Sequence, residues 1–168
     1  MDKNAISINQ DPPFSFDIAD ANDLKALKAW FNSKRERLLW GGPVMQDCTT
    51  QKAFLLQLNE NNFNSYSLKQ EKRFVAFAQI QPHSRARVHF GRLVVKPEYR
   101  GNGLSYVLLN HLLAEAKKSF KAKSASLFVY NTNTYAMQSY MKSGFVSTTP
   151  PKGLRPLDGC TFMLKQLS

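Results

Sequence analysis

The sequence predicts a mixed α/β or α+β fold in which helices flank a single central sheet. Its 168 residues suit one domain. A hydrophobic fraction of 43% beside a charged fraction of 21% is that of an ordinary globular protein. The predicted elements follow the order βαα-βββ-α-β-α-ββ, and this mixed order indicates the fold class.

The first third of the chain is predicted to hold a short strand followed by two helices. Alternating apolar residues predict the strand over residues 14–18. Polar capping residues at 20–23 and 47–50 precede two helical patterns, whose apolar residues are Leu24, Leu27, Trp30 and Phe31 in the first and Phe54, Leu55 and Leu58 in the second. The segment 34–43 between them has a mixed pattern, and Gly41-Gly42-Pro43 breaks it.

The rest of the chain alternates strands with two further helices. Strands are expected over residues 65–69, 73–80, 86–95, 124–130, 145–148 and 161–164. Gly91 indicates a β-bulge in the strand 86–95, and Pro97 ends that strand. Helices are expected over residues 103–120 and 134–143, and Gly144 is placed to end the second in a left-handed conformation.

Charge is the anomaly of the composition. There are 23 Lys+Arg against 12 Asp+Glu, a net charge of +11. Residues 84–168 hold 13 of the basic and 3 of the acidic side chains, so this half carries +10. A surplus of this size favours an anionic partner, either nucleic acid, a membrane or a phosphate-rich small molecule.

The sequence lacks the usual marks of secretion, of a membrane span and of a zinc site. No apolar run follows residues 1–4, and the longest apolar run, residues 74–78, is far too short for a bilayer. Cys48 and Cys160 have no CxxC spacing and no nearby histidine pair. We therefore expect a cytoplasmic protein with no bound metal and no membrane partner.

The segment that joins the strand ending at Val95 to the long helix predicts an anion site. Arg100 and two glycines, Gly101 and Gly103, precede the helix. The first turn of a helix has unpaired N–H groups and a positive dipole end, and glycines let a phosphate approach the backbone. The Gly-Lys-Ser/Thr of a P-loop is absent, and Tyr106 stands where a dinucleotide-binding turn needs its third glycine. A plain strand–helix turn is the alternative.

A second cluster begins 30 residues after Gly103. Asn133, Ala136 and Tyr140 are spaced i, i+3 and i+7, so they share one face of the short helix that Gly144 closes. Taken alone, this spacing is also typical of an amphipathic helix with a buried tyrosine.

Together the two clusters resemble motifs of the GNAT superfamily of N-acetyltransferases. Its coenzyme A motif R/Q-x-x-G-x-G/A corresponds here to Arg100-Gly101-Asn102-Gly103-Leu104-Ser105. Its segment N-x-x-A-x-x-x-Y-x-x-x-G-F corresponds to residues 133–145. Ser105 replaces the usual Gly or Ala and is small enough to keep the packing close.

The resemblance implies one domain over residues 1–168, with an acceptor-binding part at about 14–63 and an acetyl-CoA-binding part at about 73–148. It implies a mostly antiparallel mixed sheet that opens between its fourth and fifth strands, 86–95 and 124–130, where acetyl-CoA would lie. The implied cofactor-binding residues are Leu93, Val94, Val95, Arg100, Gly101, Asn102, Gly103, Leu104, Ser105, Tyr106 and Asn133. A backbone N–H near Val95 would polarise the thioester carbonyl.

The resemblance also implies that Tyr140 protonates the leaving thiolate. A base must accept the proton of the amine. Phe128 stands where ribosomal-protein N-terminal acetyltransferases carry a glutamate. His89 is the group of the fourth strand that titrates near neutral pH, and it is a candidate base. A remote carboxylate (Glu36 or Asp47) or water alone are the alternatives.

The function these observations predict is transfer of acetyl from acetyl-CoA to a primary amine, in a small molecule or a peptide, by direct attack in a ternary complex. A protein N-terminal acetyltransferase of the ribosomal type is a second possibility. A basic nucleic-acid-binding module and a non-catalytic coenzyme A sensor belong to other classes. Nucleic-acid binding is disfavoured, because no helix-turn-helix or surface of interleaved aromatic and basic residues is evident. The sequence leaves the oligomeric state open, a homodimer included.

Overall fold

The computed structural model describes residues 14–168, and in them it confirms the mixed fold around one central sheet. The expectation about secretion, which rests on residues 1–4, lies outside this range, as do residues 1–13 of the expected domain. The strands are β1 (Phe14–Ile18), β2 (Asn64–Gln70), β3 (Arg73–His83), β4 (Arg87–Val95), β5 (Ser124–Tyr130), β6 (Val146–Ser147) and β7 (Cys160–Gln166). They lie side by side in the order β1-β2-β3-β4-β5-β7-β6. Strands β4 and β5 are parallel, and the other neighbouring pairs are antiparallel.

The helices are α1 (Ala21–Leu27), α2 (Lys34–Gly41), α3 (Pro43–Gln46), α4 (Gln51–Leu58), α5 (Leu104–Phe120) and α6 (Thr134–Lys142). Helix α1 ends earlier than its apolar pattern predicts, because Lys28–Trp30 tighten into a 3-10 turn. None of the helices within residues 14–168 combines the length and the apolar composition that crossing a bilayer requires.

The segment 34–43, whose mixed pattern predicted no element, forms α2 and the start of α3. Ser33 caps α2 by accepting a hydrogen bond from the Glu36 amide (3.1 Å). Gly42 ends it with a φ of +80°, and Pro43 begins α3. The break at Gly41-Gly42-Pro43 is therefore as predicted, and the helix before it was missed because its apolar residues are adjacent instead of spaced along one face.

Two apolar layers cover the two faces of the sheet. Along β3, Ala76 and Ala78 face the layer that contains α5, whereas Phe77 faces the layer formed by α1 to α4. Trp30 and Phe54 are buried in the second layer. The sheet thus separates the N-terminal helices from the glycine turn and α5.

Strand β4 contains the bulge, one residue beyond the predicted Gly91. Phe77 pairs with Val94 and Gln79 with Gly91, so Arg92 and Leu93 together oppose Ala78. Arg92 takes a left-handed φ of +55° there.

Strands β4 and β5 are paired only over part of their length. Their ladder runs from Arg87↔Ser124 to Phe90↔Leu127 and then stops. The predicted opening between the fourth and fifth strands is therefore present, and it begins where β4 is bulged.

Candidate active site

Two joined cavities occupy the opening between β4 and β5. The larger, of about 510 Å³, extends from the glycine turn before α5 to α2 and α6. The smaller, of about 190 Å³, lies between α2, β4 and β5. They share the residues Leu39, Trp40, Leu93, Asn133 and Tyr140. The shared wall makes them one cleft, whose larger part has the volume of a typical small-molecule site.

The glycine turn has the backbone conformation that the motif requires. Gly101 has a φ of +81° and Gly103 one of +75°, both left-handed. A Cβ placed on Gly101 would meet no atom within 4 Å, so the residue leaves open space at the end of the cleft. Arg100 is exposed beside it, and its Nε donates to the Val95 carbonyl (3.2 Å).

Most of the predicted cofactor-binding residues line the larger cavity together. They are Leu93, Val94, Val95, Arg100, Gly101, Gly103, Leu104, Ser105 and Asn133. Asn102 and Tyr106 line neither cavity.

The structure gives a reason for each of these two departures. The Asn102 side-chain amide turns back onto the Tyr99 carbonyl (3.0 Å) and supports the turn. The Tyr106 amide is already bonded to the Gly103 carbonyl (3.2 Å), and its side chain is 55% exposed.

The end of β4 presents backbone groups to the cleft. The Lys96 amide donates to Val75 of β3 (2.9 Å). Because successive peptide groups of a strand point to opposite neighbours, the Val95 N–H points away from β3 and towards the opening. The Val95 carbonyl, which accepts from Arg100, faces the same way. Val95 thus offers a donor that no strand partner occupies.

Helix α6 places Asn133 and Tyr140 against this strand edge. The Asn133 side chain caps the helix by accepting from the Ala136 amide (3.2 Å). Tyr140 is half-buried where the two cavities meet, and burial raises the pKa of its phenol to about 12. Its hydroxyl has no hydrogen-bond partner within residues 14–168, so it is available to a bound molecule.

His89, the predicted candidate base, lies outside both cavities. It belongs to the part of β4 that is paired with β5, where its Nδ1 lies 3.0 Å from the Ser126 hydroxyl and its ring packs against Phe128. Burial, with a smaller contribution from His83, lowers the pKa of His89 to about 3. It therefore lies in the paired section of the sheet and not on the wall of the cleft.

The two carboxylates named as alternatives are placed differently. Glu36 of α2 lines the larger cavity, one helical turn before Trp40. Asp47 forms an ion pair with Lys34 (3.1 Å) and does not line the cleft. Within residues 14–168, no three His, Cys, Asp or Glu side chains form a group that could hold a metal ion.

A polar network behind the bulge joins Trp40 to Arg92 and Gln79, two residues that the sequence did not single out. The Trp40 indole N–H donates to the Arg92 carbonyl (2.6 Å), and the Trp40 ring stacks on Phe31. The Arg92 guanidinium donates to the side chain of Gln79 (2.9 Å). Gly91 was a local signal for the bulge. Nothing in the sequence, however, indicated that the bulged residue Arg92 would contact Trp40, 52 positions away.

Comparison with known proteins shows which family the chain resembles in sequence. The model of the acetyltransferase (GNAT) family matches residues 24–145. A curated relative, the UPF0039 protein C11D3.02c of Schizosaccharomyces pombe, is 34% identical over 73 residues, 44% of this chain. The matched part spans 47% of that relative's length.

Solved structures share the fold at low sequence identity. The ribosomal-protein-S18-alanine N-acetyltransferase of Escherichia coli is 22% identical, with a TM-score of 0.66 over 92% of this chain and 94% of that one. The spermidine N-acetyltransferase of Vibrio cholerae, solved in complex with CoA and spermine, is 14% identical, with a TM-score of 0.72 over 91% and 95% of the two chains.

Proposed function

The chain belongs to the acetyltransferase (GNAT) family, as its motifs predicted, and on that premise we propose that it is an N-acetyltransferase that moves acetyl from acetyl-CoA to a primary amine by direct attack in a ternary complex. One observation carries the proposal. A single cleft joins the glycine turn, the unpaired edge of β4 and the Tyr140 hydroxyl.

The residues present fit acetyl-CoA, which would supply the acetyl group as a thioester. The amides of Gly101 to Ser105 and the Arg100 guanidinium would hold its phosphates, since a helix N-terminus and an arginine both favour anions. The β4 edge from Leu93 to Val95 would hold its pantetheine arm by backbone hydrogen bonds, like an added strand. Asn133 would help to orient it.

Three groups of the chain would assist the transfer. The Val95 N–H would donate to the thioester carbonyl oxygen, where negative charge develops as the amine nitrogen bonds to the carbonyl carbon. As the C–S bond breaks, the sulfur keeps the electron pair and takes the Tyr140 proton. Glu36, through water, would accept the proton that the amine loses, since it is the carboxylate lining the larger cavity.

The same proposal assigns the binding of the two substrates to two different parts of the chain. Residues 14–63 would bind the acceptor and residues 73–148 the acetyl-CoA, so that Glu36 and Trp40 of the first part face the glycine turn of the second within one cavity. Part of the positive charge of residues 84–168 would attract the cofactor phosphates. A cytoplasmic location belongs to this proposal and is tested by cell fractionation.

Calorimetry with acetyl-CoA tests the proposal directly. We expect binding at micromolar protein with an affinity that falls as salt is added, and thiol release when a suitable amine is present. Absence of binding heat at excess acetyl-CoA would refute the proposed function. Salt-independent affinity would refute the attraction by the basic half alone.

A further inference from the structure

The wall of the smaller cavity contains a cation that the proposed chemistry does not use. The Arg92 side chain lies over the ring of Phe63 (5.4 Å to the centroid). Its Nη1 donates to the Gln57 carbonyl (3.1 Å) and to Gln79 Oε1 (2.9 Å). Its Nε lies 3.7 Å from the position that a Cβ on Gly41 would take. Arg92, Phe63 and Gly41 all line this cavity.

The charge of Arg92 forms no ion pair within residues 14–168. Its two hydrogen-bond acceptors are neutral. Two groups act on it at longer range: the Cys48 thiol, whose own pKa is raised by burial, and the exposed Glu60. Burial lowers the pKa of Arg92, which reflects the cost of holding its charge away from water.

The guanidinium donors that have no acceptor are arranged so that they can bind an anion. Arginine has five N–H donors, and Nη1 accounts for the two that the protein satisfies. The remaining donors, on Nε and Nη2, form the side edge of the group, which binds a carboxylate through two parallel hydrogen bonds.

Support of the bulge does not by itself require this charge. The Arg92 backbone has a φ of +55°, which glycine or asparagine adopts with less strain. Its carbonyl is fixed by Trp40, independently of the guanidinium. Even a partly buried cation without a counterion is costly, and an anionic ligand removes that cost.

We infer that the acceptor is an amine with a carboxylate close to its reacting nitrogen, as in an amino acid, and that Arg92 binds this carboxylate in the smaller cavity. The inference rests on the proposed function. Leu93, the next residue, lines both cavities, so the anion and the reacting amine would be a few bonds apart. Glu36 in the larger cavity suits the ammonium end of such a zwitterion. A polyamine would bring positive charge against Arg92 in a cavity whose lining contains no carboxylate.

Matched amines that differ only by the carboxylate test the inference. Lysine is compared with cadaverine and phenylalanine with 2-phenylethylamine, with spermidine as a polyamine, by thiol release from acetyl-CoA. We expect at least about a tenfold higher kcat/KM for the carboxylated member of a pair, as charge-assisted recognition implies. Equal or better turnover of the decarboxylated members, or no turnover of any carboxylated one, would overturn the inference.

Two variants locate the carboxylate site. Arg92→Asn should remove most of the preference while acetyl-CoA affinity is kept, because asparagine tolerates the left-handed backbone. Arg85→Asn is the matched control, since Arg85 is exposed and has a φ of +60°; it should keep the preference.

The outcomes separate the two proposals. A preference that survives in Arg92→Asn would contradict the role of Arg92. The comparison of amines in the unmodified protein needs no variant to fold. Failure to bind acetyl-CoA would overturn the proposed function itself, whereas binding with a preference for polyamines would overturn only the inference.

Discussion

Replacement of Tyr140 by phenylalanine tests the proposed proton donor most directly. The substitution removes one hydroxyl and keeps the ring, whose centroid lies 6.2 Å from that of Phe145. Since this hydroxyl has no hydrogen-bond partner within residues 14–168, the free energy of unfolding should change by less than about 1 kcal/mol. The affinity for acetyl-CoA should also stay nearly constant.

The expected effect is on kcat. A pKa of about 12, against an ordinary value of 10.0, means that the protonated phenol is favoured by about 3 kcal/mol more than in water. The donor therefore remains protonated at every practical assay pH. Loss of a general acid typically lowers the rate by about 10²- to 10⁴-fold, or about 2.7 to 5.5 kcal/mol in barrier.

The assay is thiol release at saturating acetyl-CoA, measured at several pH values between about 6 and 10. Because Tyr140 does not titrate there, the ratio of wild-type to variant kcat should be constant across this range. Tyr66→Phe is the matched control, because Tyr66 has a pKa of about 12 as well and lines neither cavity. Unchanged kcat in Tyr140→Phe would refute the assignment, and so would an equal loss in the control.

Three further substitutions probe the turn, the bulge and the core. Trp40→Phe removes the hydrogen bond to the Arg92 carbonyl and should lower the free energy of denaturant unfolding by about 1 kcal/mol; unchanged stability would contradict that role. Gly101→Ala should weaken acetyl-CoA binding several-fold in calorimetry and destabilise by about 1 kcal/mol through left-handed strain. Gly153→Ala is the control, because Gly153 is also left-handed and has open space where a Cβ would be. It should lose stability but no affinity for acetyl-CoA, and equal affinity losses in the two variants would argue against a phosphate site at the turn. Burial, aided by Glu115, raises the pKa of Tyr66 from 10.0 to about 12. The stabilising effect of the neutral phenol should therefore be complete below pH 10, and the free energy of denaturant unfolding should fall by about 3 kcal/mol as the pH rises to about 12. Tyr66→Phe should abolish that part of the alkaline destabilisation.

The glycine turn and helix α6 were predictable because their interactions are local. Left-handed glycines before a helix and an asparagine that caps the amide three residues on depend on neighbours in the sequence. The same locality explains why the predicted strands and the long helix α5 were largely correct. It also explains the miss at α2, where the signal was a single capping serine, Ser33.

The candidate site was predictable only in part. The motif implied contacts from every residue of the turn, but local hydrogen bonds turn Asn102 inwards and occupy the Tyr106 amide. His89 had suitable chemistry for a base, yet the sheet places it in the paired section of β4. Side-chain chemistry alone could not distinguish the open end of the strand from its closed end.

The sequence by itself determined the family, the sheet with its opening, the glycine turn and the concentration of positive charge in the half that contains it. Only the tertiary structure decided which groups face one another across the cleft. Trp40 meets Arg92 across 52 residues, and Glu36 of α2 and Tyr140 of α6 line the same cavity. Local conformation follows from steric and hydrogen-bond rules that act over a few residues. The pairing of distant side chains depends instead on how whole layers pack, and in this protein that packing brings Glu36, Trp40 and Tyr140 to one cleft.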